Sequence, residues 1–518
     1  MNLFTKAWKL LTTDIRELGK KPTPTPQKRA YAGARRDRLT ADWKAFNTSA
    51  DSEIHTALAT LRARSRELVR NDDYARGAVA TIVRNVIGNG IPFQAKVHKI
   101  RGEGFDDLKN TAIEEAFKEW AKPKNCDVSG RLSFFQLQQL AMRSMIESGE
   151  VFIRKVYQPF GDSKIPFALE VVEADQCAED YGYGAGFSYG ENIIRMGVEV
   201  DRWNRPMGYW LYDYHPGDYL FGHRNTNTMG ANRNPYDLNR VGADEIIHLF
   251  VIERPGQTRG VPWLYSSLQR LRNLSGYEEA ELVASRAAAS VMGFRVTKDA
   301  DLMESDEYGN PIETFEPGTI RELAPGEEFV GFDPKRPNQG LEAFIRHNLR
   351  GTAAGIGIDF ESLSRDFSQS NYSSSRLALL QVHETYRNLQ GLFIESFCQP
   401  IYEDWLRMAV ISNAIKMPDY ELNKRRYNSP NWQAKGWAWI DPSKDIAAAK
   451  DAIASGQTTL TRELAKRGLD IEEILQERKR ELDLARELGV SLGEDGGGGG
   501  LPSSQTVAGL TPVGGTTE

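Results

Sequence analysis

The chain has few of the residues that build cross-linked scaffolds, membrane anchors or catalytic centres. Its 518 residues include three cysteines, Cys126, Cys177 and Cys398, far apart and without a CxxC pair. That spacing excludes a disulfide framework and a zinc ribbon and leaves reduced thiols in packed sites. No apolar run reaches eighteen residues, so no helical membrane span is expected. No charged n-region followed by an apolar core and a small-residue cleavage site opens the chain, and it is expected to remain in the cytoplasm where it is made. A strong basic excess is also missing. The formal net charge of −6 weighs against a protein that coats nucleic acid tightly, since that needs clustered Lys and Arg against phosphates, and leaves room for passing contact with DNA. A mildly acidic wall would instead let a polyanion slide past.

Catalytic constellations are equally sparse. There is no GxxxxGK[ST] loop to cradle a nucleoside triphosphate, and the seven histidines show neither HExxH nor another metal-ligand spacing. Arg254-Pro-Gly-Gln-Thr-Arg-Gly260 has the outline of a phosphate loop but lacks the terminal lysine and hydroxyl, so it reads as structural. The five glycines at 496–500 lack a strand-to-helix setting. His248 lies in an apolar strand, as a satisfied core histidine would. Glu170, Glu173 and Asp175 are the carboxylates that a metal-dependent nuclease could use. Their place at a strand end equally suits ordinary surface acids.

What the sequence does have is length and patterned helices, enough for two to four domains or an extended protomer of several layers. Residues 1–20 form an amphipathic pattern, with Phe4, Trp8, Leu11, Ile15 and Leu18 on one side and Lys6, Lys9, Asp14 and Arg16 elsewhere, able to dock on a partner or on its own subunit. The extended linker Lys21-Pro-Thr-Pro-Thr-Pro26 follows, amid seven basic residues between Lys20 and Arg38. Periodicity predicts two helices between Ser52 and Val86, ending at Gly88, and others at 108–121 and 133–148, the last capped by Ser133. Strands are expected at 151–157, 167–172, 193–200, 207–212 and 245–252, with a hairpin connection at 201–206. A helix over 263–292 carries Leu264, Leu268 and Leu271 as its first stripe; Ala284, Ala287, Ala288 and Ala289 make its last turns slim enough for close helix neighbours. Short strands at 294–297, 320–323 and 329–332 precede a helix at 340–354.

The stretch from Gly355 to Val410 says most. An irregular polar segment, Gly355 to Arg376, runs into a helix of more than thirty residues with a stripe of Val382, Tyr386, Leu389, Phe393, Phe397, Ile401, Trp405 and Met408. Pro400 is expected to bend that helix without removing the stripe. Further helices are expected at 443–455, 461–467 and 471–488, and a Gly/Ser/Thr/Pro-rich disordered tail from 495.

This loop and helix, together with Arg259-Gly-Val-Pro-Trp263 ahead of a long helix and Trp439-Ile-Asp-Pro-Ser-Lys444, closely resemble the portal proteins of lambda-type tailed bacteriophages over roughly residues 50–490. The resemblance implies an α+β portal-like protomer. Its parts would be an N-terminal amphipathic segment and basic linker at 1–50, a wing at 51–262, stem helices at 263–292 and 337–354, and a small β-rich clip at 293–336. A channel loop at 355–371, a long kinked helix at 372–412, a helical crown at 413–490 and a disordered tail at 491–518 would complete it. It implies a homo-oligomeric ring of twelve copies at a capsid vertex, carrying double-stranded DNA through its channel. The implied protein partners are the terminase large subunit, which consumes the ATP, the major capsid and scaffold proteins, and the head-completion or neck proteins. No membrane, cofactor, metal or catalytic residue is implied. The ring would assemble in the host cytoplasm and persist in the virion. Within the loop, Asp359, Glu361, Ser364, Arg365, Asp366, Ser368, Ser370 and Asn371 are the expected channel contacts. The alternative reading is a metal-dependent DNA-processing enzyme, a nuclease.

Overall fold

The structure is a computed structural model that describes residues 47–100, 104–182, 188–218, 238–290, 293–297, 327–331, 340–368, 372–437, 442–465 and 471–488, with isolated positions before 47. The expected N-terminal amphipathic segment, most of the clip, the 320–323 strand, Trp439 and the tail lie outside the described residues.

Two helices open the described chain, α1 (Ala50–Asn71) and α2 (Asp73–Val86). Ser49 caps α1 by accepting the Ser52 amide, and Asp51 and Glu53 sit favourably at its positive end. Asp72 ends α1 in an extended conformation and caps α2 through the Ala75 amide, so one residue divides the two helices. Gly88 then supplies the expected left-handed stop at φ 61°. After the short strand β1 (Phe93–Gln94) come α3 (Asp107–Trp120) and α4 (Phe134–Ser148). Ser133 and Gln136 cap α4 reciprocally, and Gly149 at φ 93° ends it.

Three strands, β2 (Glu150–Val156), β3 (Ala168–Val172) and, later in the chain, β9 (Ile246–Phe250), form an antiparallel sheet with β2 central. Between them runs a five-stranded antiparallel meander: β4 (Ser188–Tyr189), β5 (Asn192–Arg195), β6 (Val198–Val200), β7 (Pro206–Tyr212) and β8 (Leu238–Gly242). The single strand expected at 193–200 is in fact a hairpin. Met196 and Gly197 take φ 48° and 79°, the two positive values that a tight two-residue turn requires. The 201–206 connection is a hairpin as expected, with Asp201 accepting the amides of Trp203 and Arg205.

The chain then rises through α5 (Leu268–Ser290), turns through the antiparallel pair β10 (Gly293–Thr297) and β11 (Glu327–Gly331), and returns along α6 (Leu341–Ile356). A single turn, α7 (Phe360–Ser364), leads to α8 (Tyr372–Phe393), a π-turn at Ile394–Cys398, and α9 (Gln399–Ile411). Beyond β12 (Asn431–Trp432), which pairs with β1, lie α10 (Pro442–Ala454), α11 (Leu460–Ala465) and α12 (Ile471–Leu488).

The long helix organises the core. Its stripe from Val382 to Trp405 is buried, and Met408 packs against the same core. Four consecutive steps of four residues, 389 to 405, would each overshoot a 3.6-residue helix by about 40° and rotate the stripe off the core. The π-turn absorbs this drift. The same wide turn leaves room for Pro400, which lacks an amide and would otherwise crowd the carbonyl four residues before it. Around Trp405 an aromatic cluster interlocks: Phe117 meets it edge-on at 4.9 Å, and Trp120 and Tyr402 lie at about 6 Å. Ile415, Met417, Tyr420 and Tyr427 belong to this core, and Tyr402 donates to the Tyr427 carbonyl. Within 413–437, which the resemblance groups with the crown, Ile415, Met417, Tyr420 and Tyr427 thus share the core of the α+β body, with Trp432 and Trp437 packed against it. Their spacing is too irregular for either a helix or a strand pattern.

Trp405→Ala should lower stability by about 3–5 kcal/mol, as large core truncations do. The exposed control Leu422→Ala should stay within about 0.5 kcal/mol, both read from thermal melting.

Candidate functional site at the junction of body and helix pair

The segment Arg259–Trp263 joins the body to α5, and its residues are anchored one by one. Glu150, the first residue of β2, is fully buried. Arg259, also fully buried, donates from Nε to both Glu150 oxygens at 2.8 and 3.0 Å, and its Nη2 lies 2.6 Å from Oε1. The Gly260 amide and His248 Nε2 each reach Glu150 Oε2 at 2.8 Å, and Arg62 of α1 reaches Oε1 at 3.1 Å. The rest of the Arg259 guanidinium donates to the carbonyls of Met196 and Ala174. Gly260 has no room for a side chain: a Cβ there would lie 2.2 Å from the Gly149 carbonyl oxygen. Trp263 completes the joint, its amide bonded to Ile146 O and its indole N–H donating to Ile356 O at 2.7 Å.

Electrostatics follow from this packing. Burial alone would raise the Glu150 pKa, but the charge of Arg259 and the hydrogen bond from His248 outweigh it and hold the carboxyl well below its ordinary range. Burial pushes His248 the other way for a base, below its ordinary 6.5, against the pull of Glu150. His248 is thus a satisfied core histidine. The loop Arg254–Gly260 is closed by its own Gln257, which accepts the amides of Glu253 and Arg254, and Thr258 is pinned by Asp51. It makes a structural turn.

Beyond the joint, Leu264, Leu268 and Leu271 are buried in the core that includes Leu349, Ala353 and Ile356 of α6. Leu264 lies in the turn before α5, not within a helix beginning at 263, because Pro262 and the tethered Trp263 delay the first regular turn. Ala284 is half-buried; Ala288 lies in α5, its side chain outside the described residues. Ser266 and Ser267 donate to the carbonyls of Gly355 and Thr352, stitching the base of the helix pair.

The expected irregular loop at 355–371 is largely folded. Helix α6 continues to Ile356 and stops at Gly357, φ 82°. Asp359 caps α7 through the Ser362 amide, Leu363 is buried, and Ser364 donates to Phe360 O. Glu361 is half-buried and its carbonyl accepts the Arg365 amide, while the Arg365 guanidinium reaches Thr81. Asp366 accepts from Ser368 and pairs with Arg346 at 3.1 Å; those Ser368 bonds, then the Arg346 charge, depress its pKa. Arg365–Ser368 is the irregular remainder among the described residues, with Phe367 61% exposed. Ser370 and Asn371 lie outside them. The signal that could have found α7 was present: an Asp N-cap three residues before Ser362, with apolar residues at 356, 358 and 363.

The three carboxylates weighed as a nuclease site do not converge. Glu170 pairs across the sheet with Arg154 at 3.8 Å, whereas Glu173 and Asp175 meet His215, a partner the sequence did not suggest. A guanidinium already stands at that cluster: Arg66 lies 2.6 Å from Asp175 and 3.7 Å from Glu173, and Arg62 lies 3.3 Å from Asp175.

The chain matches the family model described as phage portal protein, lambda family, over residues 36–390, a span that contains the whole joint, the helix pair and most of α8. The chain belongs to the lambda family of phage portal proteins. It is 30% identical over 500 residues to the probable portal protein of Halomonas phage phiHAP-1, covering 94% of this chain and 92% of that one. Portal protein B of Escherichia phage lambda is 22% identical, with 86% and 88% covered. Among solved structures, the neck of an empty gene transfer agent particle aligns at a TM-score of 0.40 and 12% identity, over 80% of this chain and 93% of that chain. The function is accordingly that of a portal protein, and the portal family is structural. Among the described residues no helix is long and apolar enough to cross a membrane.

Acid should loosen this portal joint in two stages. Below about pH 6.5 the unfolded chain protonates its histidine while folded His248 resists, so stability falls as pH drops. Below about 4.5 the same holds for Glu150, whose contribution is complete above that value. His248→Gln keeps a donor for Glu150 without a titratable ring. It should shrink the loss of melting temperature between pH 7 and pH 5.5 and leave the lower stage in place.

Proposed function

We propose that the chain is the protomer of a closed ring of twelve copies at one capsid vertex, through which double-stranded DNA is packaged and later ejected. The observation that carries this reading is the family match over residues 36–390, which takes in the joint, the helix pair and most of the body. Exposed apolar side chains on the protomer support it: Leu282 and Val283 on α5, Phe344 on α6, and Leu377 and Leu380 on α8 need cover from identical neighbours.

In this reading the body is the wing, facing the scaffold and major capsid proteins. Helices α5 and α6 are the stem, and β10 with β11 is the clip, offered first to the terminase large subunit and then to the neck proteins. The crown begins after Trp437, since the residues before it pack in the body. The segment 355–371 is the channel loop of this reading, and its modest charge suits sliding DNA better than held DNA. The protein hydrolyses nothing; ATP is consumed by the terminase docked on it. The nuclease reading is the weaker one: Glu170 stands apart with Arg154, and at Glu173, Asp175 and His215 the guanidinium of Arg66 already occupies the place beside the carboxylates.

Native mass spectrometry and electron microscopy of the purified full chain should give closed rings with an axial hole. Monomers alone across a range of salt and concentration would overturn the ring. Glu361→Lys combined with Asp366→Lys should leave ring formation intact and reduce the DNA packaged or retained. Normal packaging and retention of full-length DNA by that variant would remove the channel role from the loop.

A further inference from the structure

The sequence offers an apolar face, the stripe of Phe4, Trp8, Leu11, Ile15 and Leu18, and the body offers an apolar groove that no described residue fills. The groove has a volume of about 410 Å³ and lies between the two sheets and the π-turn, lined by Val200, Tyr209, Ile246, Phe250, Ile252 and Pro400 among others. Its rim is unusually greasy for a protein surface. Ile252 is 64% exposed, and the hairpin that supplies Asn204 and Pro206 to the lining also carries Trp203, 67% exposed, and Met207, 45% exposed. Single exposed apolar residues need no explanation, but a groove rimmed by several does.

We propose that this groove is the docking site of the chain's own N-terminal segment, residues 1–18, laid apolar face inward. Two observations select that occupant. The continuous described chain begins next to one wall of the groove: Asp51 holds the amide and hydroxyl of Thr258, and Thr258 lines the groove. The intervening residues 19–46 can span up to about 90 Å when extended, so reach is no obstacle. The site deepens no part of the ring proposal and does not depend on it, since a single protomer holds both segment and groove.

Cross-linking in the full chain tests it. Cys126, Cys177 and Cys398 are buried, and burial pushes the first two thiols up to about 12 and about 11, so added cysteines can be oxidised selectively. Trp8→Cys, Leu11→Cys and Ile15→Cys are each combined with Ile252→Cys. At least one pair should close within a single polypeptide, with both added thiols lost and no dimer on a denaturing gel. Dimer bands alone would assign the groove to a second copy, and no cross-link in any pair would leave the segment elsewhere; either result overturns the proposal. As an independent reading, Trp8→Glu with Leu11→Glu should speed amide exchange severalfold across 203–209 and 246–252. Exchange unchanged by those substitutions would also overturn it.

Discussion

A single buried carboxylate holds the junction together. Glu150 receives Arg62 from α1, Arg259 and the Gly260 amide from the approach to α5, and His248 from β9. Two guanidiniums against one carboxylate would leave surplus charge in a low-dielectric interior. The far side of Arg62 is offset by Asp175 and Glu179. Such a cluster adds little net stability over an apolar core, yet removing one member leaves an uncompensated buried charge that costs about 3–5 kcal/mol. Its effect is therefore selective: it penalises every arrangement of these four segments except one. With Arg259 fixed, Gly260 must lie against Gly149, Trp263 must reach Ile356, and the base of the helix pair is set.

The long helix imposes the second constraint, and it works by geometry. A stripe spaced mostly by four cannot stay on one face of a regular α-helix, and a proline inside a helix needs relief from its own ring. One π-turn answers both needs at once. It keeps Phe393, Phe397, Ile401 and Trp405 aimed at Trp120 and Phe134 while Pro400 passes without a break. Because Gln138, buried in α4, donates both to Ile91 O and toward Cys398 beside that turn, the bend is locked to the rest of the body.

Helix positions and the buried stripe were legible in the sequence because they depend on local spacing and caps, and Ser133, Gly88 and Pro400 announced themselves. The Arg259–Trp263 motif was visible as a motif, but its meaning was not. Glu150 lies 109 residues from Arg259, and nothing local in either tells that they meet. The hairpin at Met196–Gly197 was missed because strand propensity on both sides outweighed one glycine. The folded turn at 360–364 was missed because its serines and acids read as solvent-facing loop, when Asp359 is a cap and Leu363 a core residue. The resemblance grouped residues 413–437 with the crown by the order of the parts; aromatic packing, which has no period, draws Met417, Tyr420 and Tyr427 into the core.

The distribution of rigid and open surface bears on assembly. In a ring of identical copies each contact repeats the same rotation, about 30° for twelve, and an error in that angle accumulates around the circle until the ring opens into a spiral. In the proposed ring, where neighbours would touch through both body and helix pair, that angle is set where the two join. That is where the buried ion cluster, the Gly149–Gly260 contact and the Trp263 hydrogen bond coincide, three constraints with almost no freedom among them. The exposed apolar side chains on α5, α6 and α8 lie away from this joint. A protomer built this way fixes its shape before it meets a partner, so association need only cover apolar surface and not also select a conformation.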